Sequence, residues 1–169
     1  MWLDSPSDPR GRGLVRLICV RTSDGVHACP DRVMVTPERG VDGDRWIQKP
    51  KRVLAAQVTL IRARVAELVA ADHAPLHAPG DNLHVELDLC VDALPPGTRL
   101  RAGGALLEIS AVPHTGCKKF RERFGVEALQ WVNHADHRDR RLRGVNCRVF
   151  AGGLVALGDV IELDPGSAA

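Results

Sequence analysis

Residues 143–163 read RGVNCRVFAGGLVALGDVIEL and contain two short stretches rich in apolar residues, 145–150 and 159–163, with glycines between them. Short runs rich in Val and Ile that end at glycines are typical of β-strands joined by tight turns. The pattern therefore predicts two strands that close the chain.

The same alternation of short apolar runs and turn residues continues toward the N-terminus. Further predicted strands, in chain order, cover 14–20, 32–35, 53–61, 83–87 (half-exposed, because LHVEL alternates) and 105–112, with Leu100 in another. Helical spacing of apolar residues predicts a helix over 61–72, ended by Pro75, and helical turns over 117–133, divided at Gly125. Many short strands with few helices predict a mainly β fold (α+β), built as a closed or partly closed β-barrel.

The length of the chain limits the number of domains. It has 169 residues, of which 44% are hydrophobic and 26% charged, which suits one globular domain. We expect a single domain over 1–169, with 1–13 and 164–169 as flexible tails. No run approaches the roughly 20 apolar residues that cross a bilayer, and the polar N-terminus does not look like a secretion signal. We therefore expect a cytoplasmic protein without a membrane partner.

Five cysteines, at positions 19, 29, 90, 117 and 147, make an odd set without CxxC spacing. This argues against a disulfide framework and against a zinc ribbon, and it predicts reduced thiols. Cys147 lies in a predicted strand and is interpreted as core filler, although a role as a second thiol near the site stays open.

The charge of the chain is unevenly distributed. The net charge is only +2, but residues 118–148 carry nine Lys or Arg against four Asp or Glu. The sequence predicts a small-molecule anion as the ligand of this segment, with an ordinary solvated surface as the alternative. Nucleic acid is an unlikely partner, because aromatic residues are 4% of the chain and tyrosine is absent.

The segment PHTGCKKF, residues 113–120, places Cys117 between the end of a predicted strand and the start of a helical stretch. A thiol there meets the positive end of the helix dipole, and Lys118 and Lys119 add positive charge; both effects favour the thiolate. This environment is typical of a reactive or metal-binding cysteine. A buried, inert thiol is the alternative, and spacing alone does not separate the two.

Six stretches resemble, in order, the successive blocks of MOSC domains, the module found at the C-terminus of molybdenum-cofactor sulfurases. They are GVDGDRW (40–46), QVTLI (57–61), PGDNLHVELDL (79–89), PPGTRLRAGGALLEI (95–109), PHTGCKKF (113–120) and RGVNCRVFAGGLVALGDVIEL (143–163). The resemblance covers nearly the whole chain from about Gly40 onward. It implies a small stand-alone member with a MOSC-type β-barrel.

The resemblance also implies a site. A MOSC domain of this kind would bind molybdenum cofactor (molybdopterin) or a sulfane-sulfur species through one cysteine, which corresponds to Cys117 as both the catalytic residue and the ligand to molybdenum. The cofactor-binding positions that it implies are Gly43, Asp44, Arg45, Asp81, Asn82, His114, Thr115, Lys118, Arg143, Asn146 and Arg148. We expect these residues to line one cleft, with turn and cap chemistry as the alternative for Asp44 and Asn82.

Two functions follow from the resemblance: a molybdenum-dependent reductase component or a sulfur-transfer module, with a non-catalytic sulfur or cofactor carrier as the alternative. Pyridoxal phosphate is not expected, because the chain is too short to contain an aminotransferase-like domain. The expected partner is a separate sulfur donor or electron-transfer protein. One departure stands out, since Gly116 precedes Cys117 where many members have proline.

The two arginines of the last block give a quantitative expectation. If Arg143 and Arg148 grip a cofactor phosphate, replacing either should weaken binding at least about tenfold. The thermal stability should hardly change.

Overall fold

The computed structural model describes residues 7–71 and 74–166, and within them the chain forms twelve strands and two α-helices. The strands are β1 (Arg12–Ile18), β2 (Val20–Ser23), β3 (Val26–Ala28), β4 (Arg32–Thr36), β5 (Gly40–Val41), β6 (Val58–Arg62), β7 (Leu83–Glu86), β8 (Arg99–Ala102), β9 (Ala105–Ile109), β10 (Val145–Ala151), β11 (Gly153–Ala156) and β12 (Val160–Leu163). The helices are α1 (Ala63–Ala70) and α2 (Lys118–Asn133), and 3-10 turns occupy Arg45–Gln48, Leu54–Ala56 and Ala135–Arg140.

Seven strands close a barrel in the order β1, β12, β8, β9, β10, β6, β7. Neighbouring strands are antiparallel except β6 and β7, which run parallel. A parallel pair needs a crossover connection, and α1 lies in the one between them. The remaining strands form the sheet β11–β4–β5 and the hairpin β2–β3. The predicted mainly β, single-domain barrel is thus confirmed.

The barrel interior forms the main core. Its inward-facing side chains are aliphatic and fully buried, among them Val15, Leu83, Leu107 and Ile161. A smaller cluster lies between the helices, where Val65 of α1 packs with the residues that surround Phe120 of α2. This cluster fixes the start of α2 against the barrel.

Some predicted strands have different limits in the structure. The strand expected over 14–20 is divided at Cys19 into β1 and β2, and the one expected over 53–61 begins only at Val58, because the preceding residues make a 3-10 turn. The strand expected to be half-exposed at 83–87 is buried, because β7 is paired on both edges in a closed barrel that α1 also covers. The helix expected over 61–72 is shorter, and the end of that range lies outside the described residues.

The expected tails are partly ordered. Arg12 and Gly13, which were included in the expected tail, pair with Glu162 and Ile161 as the first residues of β1. Asp164 accepts a hydrogen bond from Arg101 at 2.7 Å. Residues 1–6 and 167–169 lie outside the described part. No described helix has the length and apolar character needed to span a membrane.

Gly125 divides α2 as the sequence predicted, with φ 85° and ψ 172°. Only glycine adopts such a conformation readily, and no described atom lies within 4 Å of the position that a Cβ would take there. A substitution would therefore add backbone strain without a clash.

Gly125→Ala is therefore expected to lower the free energy of unfolding by about 1–2 kcal/mol, measured by urea denaturation. The control Gln130→Ala, at an exposed position of the same helix, should change it by less than about 0.5 kcal/mol. Equal effects of the two substitutions would argue against backbone strain at Gly125.

Candidate functional site

A cavity of about 500 Å³ opens beside the segment that leads into α2. It is lined by Val91 and by residues 110–115, 132–134, 137–139 and 141–146. This volume lies in the range of small-ligand sites. The cavity is therefore the natural place to look for a binding function.

Four predicted site residues line this cavity, namely His114, Thr115, Arg143 and Asn146. Asn146 donates to the carbonyl oxygens of Val112 and Pro113 at 3.2 and 3.3 Å, which holds the strand end and the approach to α2 together. The cavity thus joins two of the sequence blocks that are far apart in the chain.

Cys117 lies two residues beyond Thr115, at the N-cap of α2, and its side chain is exposed. Cys117 does not line the cavity, but the lining segment 110–115 ends two residues before it. The placement between a strand end and a helix start agrees with the sequence prediction. Cys29 is also exposed, whereas Cys19 and Cys147 are buried.

Gly116 is held by a two-way clamp. Its N–H donates to Asn133 Oδ1 at 2.8 Å, and its carbonyl accepts from Asn133 Nδ2 at 3.1 Å. A Cβ at this position would lie 2.7 Å from Leu129 Cδ1. Proline could neither donate this hydrogen bond nor avoid the contact. The glycine before Cys117 is thus required by the way this chain packs α2.

A buried ion pair lies behind the cavity wall. Arg143 Nη1 contacts Asp81 Oδ2, and Arg143 Nη2 donates to the Pro79 carbonyl at 3.0 Å. The guanidinium also lies 5.2 Å from the centre of the Phe120 ring. On the other side, His114 Nδ1 is 3.5 Å from Asp81 Oδ1. Asp81, which the sequence also marked as a site residue, therefore positions Arg143 and lies beside His114 at the cavity.

Burial and charge determine the protonation states of this cluster. Burial alone would raise the pKa of Asp81, but Arg143 and the neighbouring histidines outweigh it and hold that pKa below its usual value. Burial, together with the charge of Arg143, lowers the pKa of His114 to about 4, and burial lowers that of His84 to about 4. At neutral pH the cluster therefore holds one carboxylate, one guanidinium and two neutral imidazoles.

Several buried polar atoms of this cluster have no hydrogen-bond partner among the described residues. They are Asp81 Oδ1, His84 Nε2, His114 Nδ1 and Arg143 Nε. Buried polar groups are normally satisfied by protein, water or ligand. Unused hydrogen-bonding capacity behind a cavity wall is a feature of sites that take polar ligands.

Asp44 and Asn82 belong to a second, separate polar network. Arg21 binds Asp44 in a fork, with Nε–Oδ2 at 2.8 Å and Nη2–Oδ1 at 2.9 Å. Asn82 Nδ2 donates to Asp44 Oδ2 at 3.0 Å, and Asn82 Oδ1 accepts from the Thr59 N–H at 3.1 Å. The network ties the β2–β3 hairpin to the barrel.

The geometry of Asp44 matches the cap chemistry considered from the sequence. Its Oδ1 accepts from the Trp46 N–H at 2.9 Å and so caps the 3-10 turn Arg45–Gln48. Gly43 adopts φ 77° just before it. Burial alone would raise the pKa of Asp44, but the hydrogen bonds and charge of Arg21 have the larger effect and hold that pKa below its usual value. Sequence reasoning missed Arg21, because no local pattern signals that contact.

The remaining predicted residues lie at other surfaces. Arg45 and Lys119 both bind Asp24 at the tip of the β2–β3 hairpin, with Arg45 Nη1 at 2.8 Å from Asp24 Oδ1. Lys118 pairs with Glu122 one turn along α2 at 3.8 Å. Arg148 is exposed on β10, beside Glu108 of β9. The structure thus divides the expected single cleft into the cavity, the Asp44 network, the Asp24 contact and Arg148.

The buried pairing of Arg143 contradicts one sequence-based expectation. The sequence predicts that replacing a phosphate-gripping Arg143 hardly changes the thermal stability. Because Arg143 neutralises the fully buried Asp81, its loss would leave an uncompensated buried charge. The expectation of unchanged stability is kept only for the exposed Arg148.

Further residues of the basic segment line the cavity beside Arg143 and Asn146, and no sequence motif marked them. His134, His137 and Arg138 line it, and Asn133 holds Gly116 in place. Three of them lie at or in the 3-10 turn Ala135–Arg140. The density of His and Arg between 134 and 143 was the available signal.

The depressed histidine pKa values predict a dependence of stability on pH. The unfolded chain takes up protons at His84 and His114 near pH 6.5, whereas the folded chain does so only near pH 4. Between these values the unfolded state binds more protons, so the free energy of unfolding falls as the pH falls. The contribution at pH 5 is about 2 kcal/mol per histidine.

The free energy of unfolding, measured by urea denaturation at pH 7.5 and at pH 5, should fall less between these two pH values in His84→Gln than in the wild type. The exposed His134 supplies the control His134→Gln, which should keep the wild-type loss. A wild-type loss in His84→Gln would contradict the assignment of this loss to buried neutral histidines.

The comparisons with known proteins agree with this architecture. The MOSC domain family matches residues 39–162, which is most of the chain, and the protein belongs to that family.

Solved structures share the fold at low sequence identity. The YuaD protein from Bacillus subtilis is 18% identical, with a TM-score of 0.59 over 92% of this chain and 97% of that one. YiiM from Escherichia coli is 20% identical, with a TM-score of 0.62 over 89% of this chain and 69% of that one. YiiM from Geobacillus stearothermophilus is 18% identical, with a TM-score of 0.61 over 90% and 75%. A comparison with curated protein sequences finds no match.

Proposed function

We propose that this MOSC domain binds molybdenum cofactor or a sulfane-sulfur species, with the sulfur of Cys117 as the point of attachment. The observation that carries the proposal is one continuous segment, which forms a wall of the 500 Å³ cavity over 110–115 and then presents Cys117 as an exposed thiol at the start of α2. A soft ligand held by this thiol would lie next to the cavity. Thiolate sulfur is the protein ligand that soft metals and sulfane sulfur prefer.

The residues present fit a polar, anionic ligand. Arg138 and Arg143 bring positive charge to the cavity lining, which also contains the polar side chains of His114, Thr115 and Asn146. Both terminal nitrogens of Arg143 already donate hydrogen bonds, one to Asp81 and one to the Pro79 carbonyl. Arg143 therefore supplies positive charge to a ligand, rather than the free fork expected from the sequence.

Each side chain has a distinct task in this proposal. Cys117 holds the soft atom, and Asn133 fixes the backbone directly before it through Gly116. Asp81 holds Arg143 from below the wall through their ion pair, and His114 lies beside the same carboxylate. When bound, molybdenum cofactor would supply oxidation–reduction chemistry at its metal. The neutral His114 would offer a hydrogen-bonding imidazole at the edge of the cavity.

A second candidate function is that of a sulfur carrier. The observation that favours it is the exposure of Cys117, which is outside the cavity lining and open to a partner. A carrier would pass sulfane sulfur from Cys117 to an acceptor thiol and would need no bound metal. Reduction of an N-hydroxylated substrate with reduced viologen as electron donor would favour the reductase component, whereas transfer of labelled sulfur without metal would favour the carrier.

Alkylation tests the central thiol. With limiting iodoacetamide at neutral pH, Cys117 should be modified first among the five cysteines, as read by peptide mass spectrometry. Burial raises the pKa values of Cys19 and Cys147 to about 12 and also raises that of the exposed Cys29. Cys19 and Cys147 should therefore react last.

Prior loading supplies the functional half of this experiment. Molybdenum cofactor released anaerobically from a denatured molybdoenzyme should protect Cys117 from alkylation and leave Cys29 reactive. Polysulfide in a parallel sample should leave Cys117 reactive but as a persulfide, so that its alkylated peptide carries one additional sulfur atom and that of Cys29 does not. Equal protection or equal sulfuration of both thiols, or neither change at Cys117 in either sample, would argue against attachment at Cys117.

A further inference from the structure

The β2–β3 hairpin brings two other cysteines together. Val20 pairs with Ala28 and Arg21 with His27 in its ladder. The next pair in this antiparallel register, one step toward the open end of the hairpin, is Cys19 with Cys29. Directly opposed residues of an antiparallel pair have their side chains on the same face.

The hydrogen bonds show which kind of pair this is. The N–H of Arg21 donates to Asp44 Oδ2 at 3.0 Å, and the N–H of Cys19 donates to the Asn82 carbonyl at 2.8 Å. Both groups therefore point away from β3, which makes positions 19 and 29 a non-hydrogen-bonded pair. In such pairs the Cα atoms lie about 4.5 Å apart. That separation falls within the range that a disulfide spans, about 4.4–6.8 Å.

The contacts of the hairpin with a neighbouring loop place Cys19 on the expected face. Cys19 Sγ lies 3.9 Å from the His77 carbonyl oxygen, and His27 Nδ1 lies 3.2 Å from His77 Nδ1. Residues of both strands thus meet the same loop residue, as the alternation of a β-ribbon requires. Cys19 is fully buried by this packing, while Cys29 remains exposed.

We infer that Cys19 and Cys29 form a redox modification site, a cross-strand dithiol that a low-molecular-weight disulfide such as oxidised glutathione converts to a disulfide. The exposed Cys29 attacks first: its thiolate forms a bond to one glutathione sulfur and releases the other glutathione as a thiolate. Cys19 then loses its proton and attacks the Cys29 sulfur, which releases the second glutathione. The two protein thiols are oxidised, and one glutathione disulfide is reduced to two glutathione molecules.

The asymmetry of the pair determines the order and speed of these steps. Burial, with a smaller contribution from Cys29, raises the pKa of Cys19 to about 12, so its attack is the slow step and the mixed disulfide on Cys29 should appear first. Cys19 also exchanges hydrogen bonds with Asn82 through both its N–H and its carbonyl. The disulfide would therefore form beside the Asp44–Asn82 network, independently of Cys117.

The experiment uses the full-length protein with oxidised glutathione, followed by acid quenching, alkylation of free thiols and digestion with trypsin. Cleavage after Arg16, Arg21 and Arg32 separates peptide 17–21, which contains Cys19, from peptide 22–32, which contains Cys29. The expected product is a disulfide between these two peptides, reversed by dithiothreitol.

Matched variants make the result specific. Cys90→Ser should keep the cross-link, and Cys29→Ser should abolish it. Because the Cys29 side chain is exposed, this substitution should leave the packing of the core intact. A wild-type product that stops at the glutathione adduct on Cys29, with Cys19 still alkylatable after prolonged incubation, would overturn the inference. A cross-link from Cys29 to Cys117 in place of Cys19 would overturn it as well.

Discussion

Asp81→Asn is expected to lower the free energy of unfolding by about 3–5 kcal/mol at pH 7, because it leaves Arg143 charged and without its carboxylate in the interior. Asp81 is fully buried, and Arg143 has little exposure. Urea denaturation with an unchanged m-value is the measurement. This single position should account for a large fraction of the stability of a domain of this size.

The exposed ion pair between Arg39 and Asp42 offers a matched control, since each side chain is 58% exposed. Asp42→Asn should cost less than about 1 kcal/mol. The double variant Asp81→Asn with Arg143→Met removes both buried charges and should be more stable than Asp81→Asn alone. Additive losses in the double variant would contradict a mutually dependent buried pair.

Cys117→Ser is expected to lose the bound soft ligand almost completely, to less than a tenth of the wild-type content of molybdenum or sulfane sulfur after loading. Serine retains the size of the side chain but replaces the soft sulfur with a hard oxygen. Because the side chain is exposed, the free energy of unfolding should stay within about 0.5 kcal/mol of the wild-type value.

Cys29→Ser is the control for this substitution, since it removes the other exposed thiol. It should retain the wild-type content. Equal losses in the two variants would indicate nonspecific thiol chemistry, and retention in Cys117→Ser would remove Cys117 from the proposal.

The fold was largely predictable because its signals are local. The strands β10 and β12, the division of α2 at Gly125 and the helix after β6 follow from apolar runs, glycines and helical spacing within short windows. Barrel closure was predicted only in general terms. The parallel pairing of β6 with β7 and the burial of Leu83, His84 and Val85 in β7 depend on contacts between distant segments, which hydrophobic alternation does not encode.

The site was predictable where it is contiguous. His114, Thr115 and Cys117 lie in one segment, and the chain itself keeps them together. The last block shows the opposite case. Arg143 and Asn146 line the cavity, and Asn146 is bonded to Val112 and Pro113. Arg148, two residues beyond Asn146 on β10, is exposed. Which part of a strand face is covered depends on the course of another segment, so the sequence placed both arginines in one cleft.

The Asp44 network illustrates a further limit. Arg21, Asp44 and Asn82 come from three segments of the chain, and their hydrogen bonds span 23 to 61 residues. The resemblance identifies Asp44 and Asn82 as site positions in two separate blocks, but only the structure shows that they contact each other and that Arg21 neutralises the carboxylate of Asp44.

The central claim, attachment of a soft ligand at Cys117, is tested most directly by one combined measurement on the wild-type protein purified anaerobically. Elemental analysis for molybdenum and mass spectrometry of the peptide that contains Cys117 are made on the same sample, before and after loading with molybdenum cofactor or polysulfide. Attachment at Cys117 predicts stoichiometric molybdenum, or an additional sulfur atom on Cys117, with Cys29 unmodified. A sample that after loading carries neither molybdenum nor additional sulfur at Cys117 would contradict it.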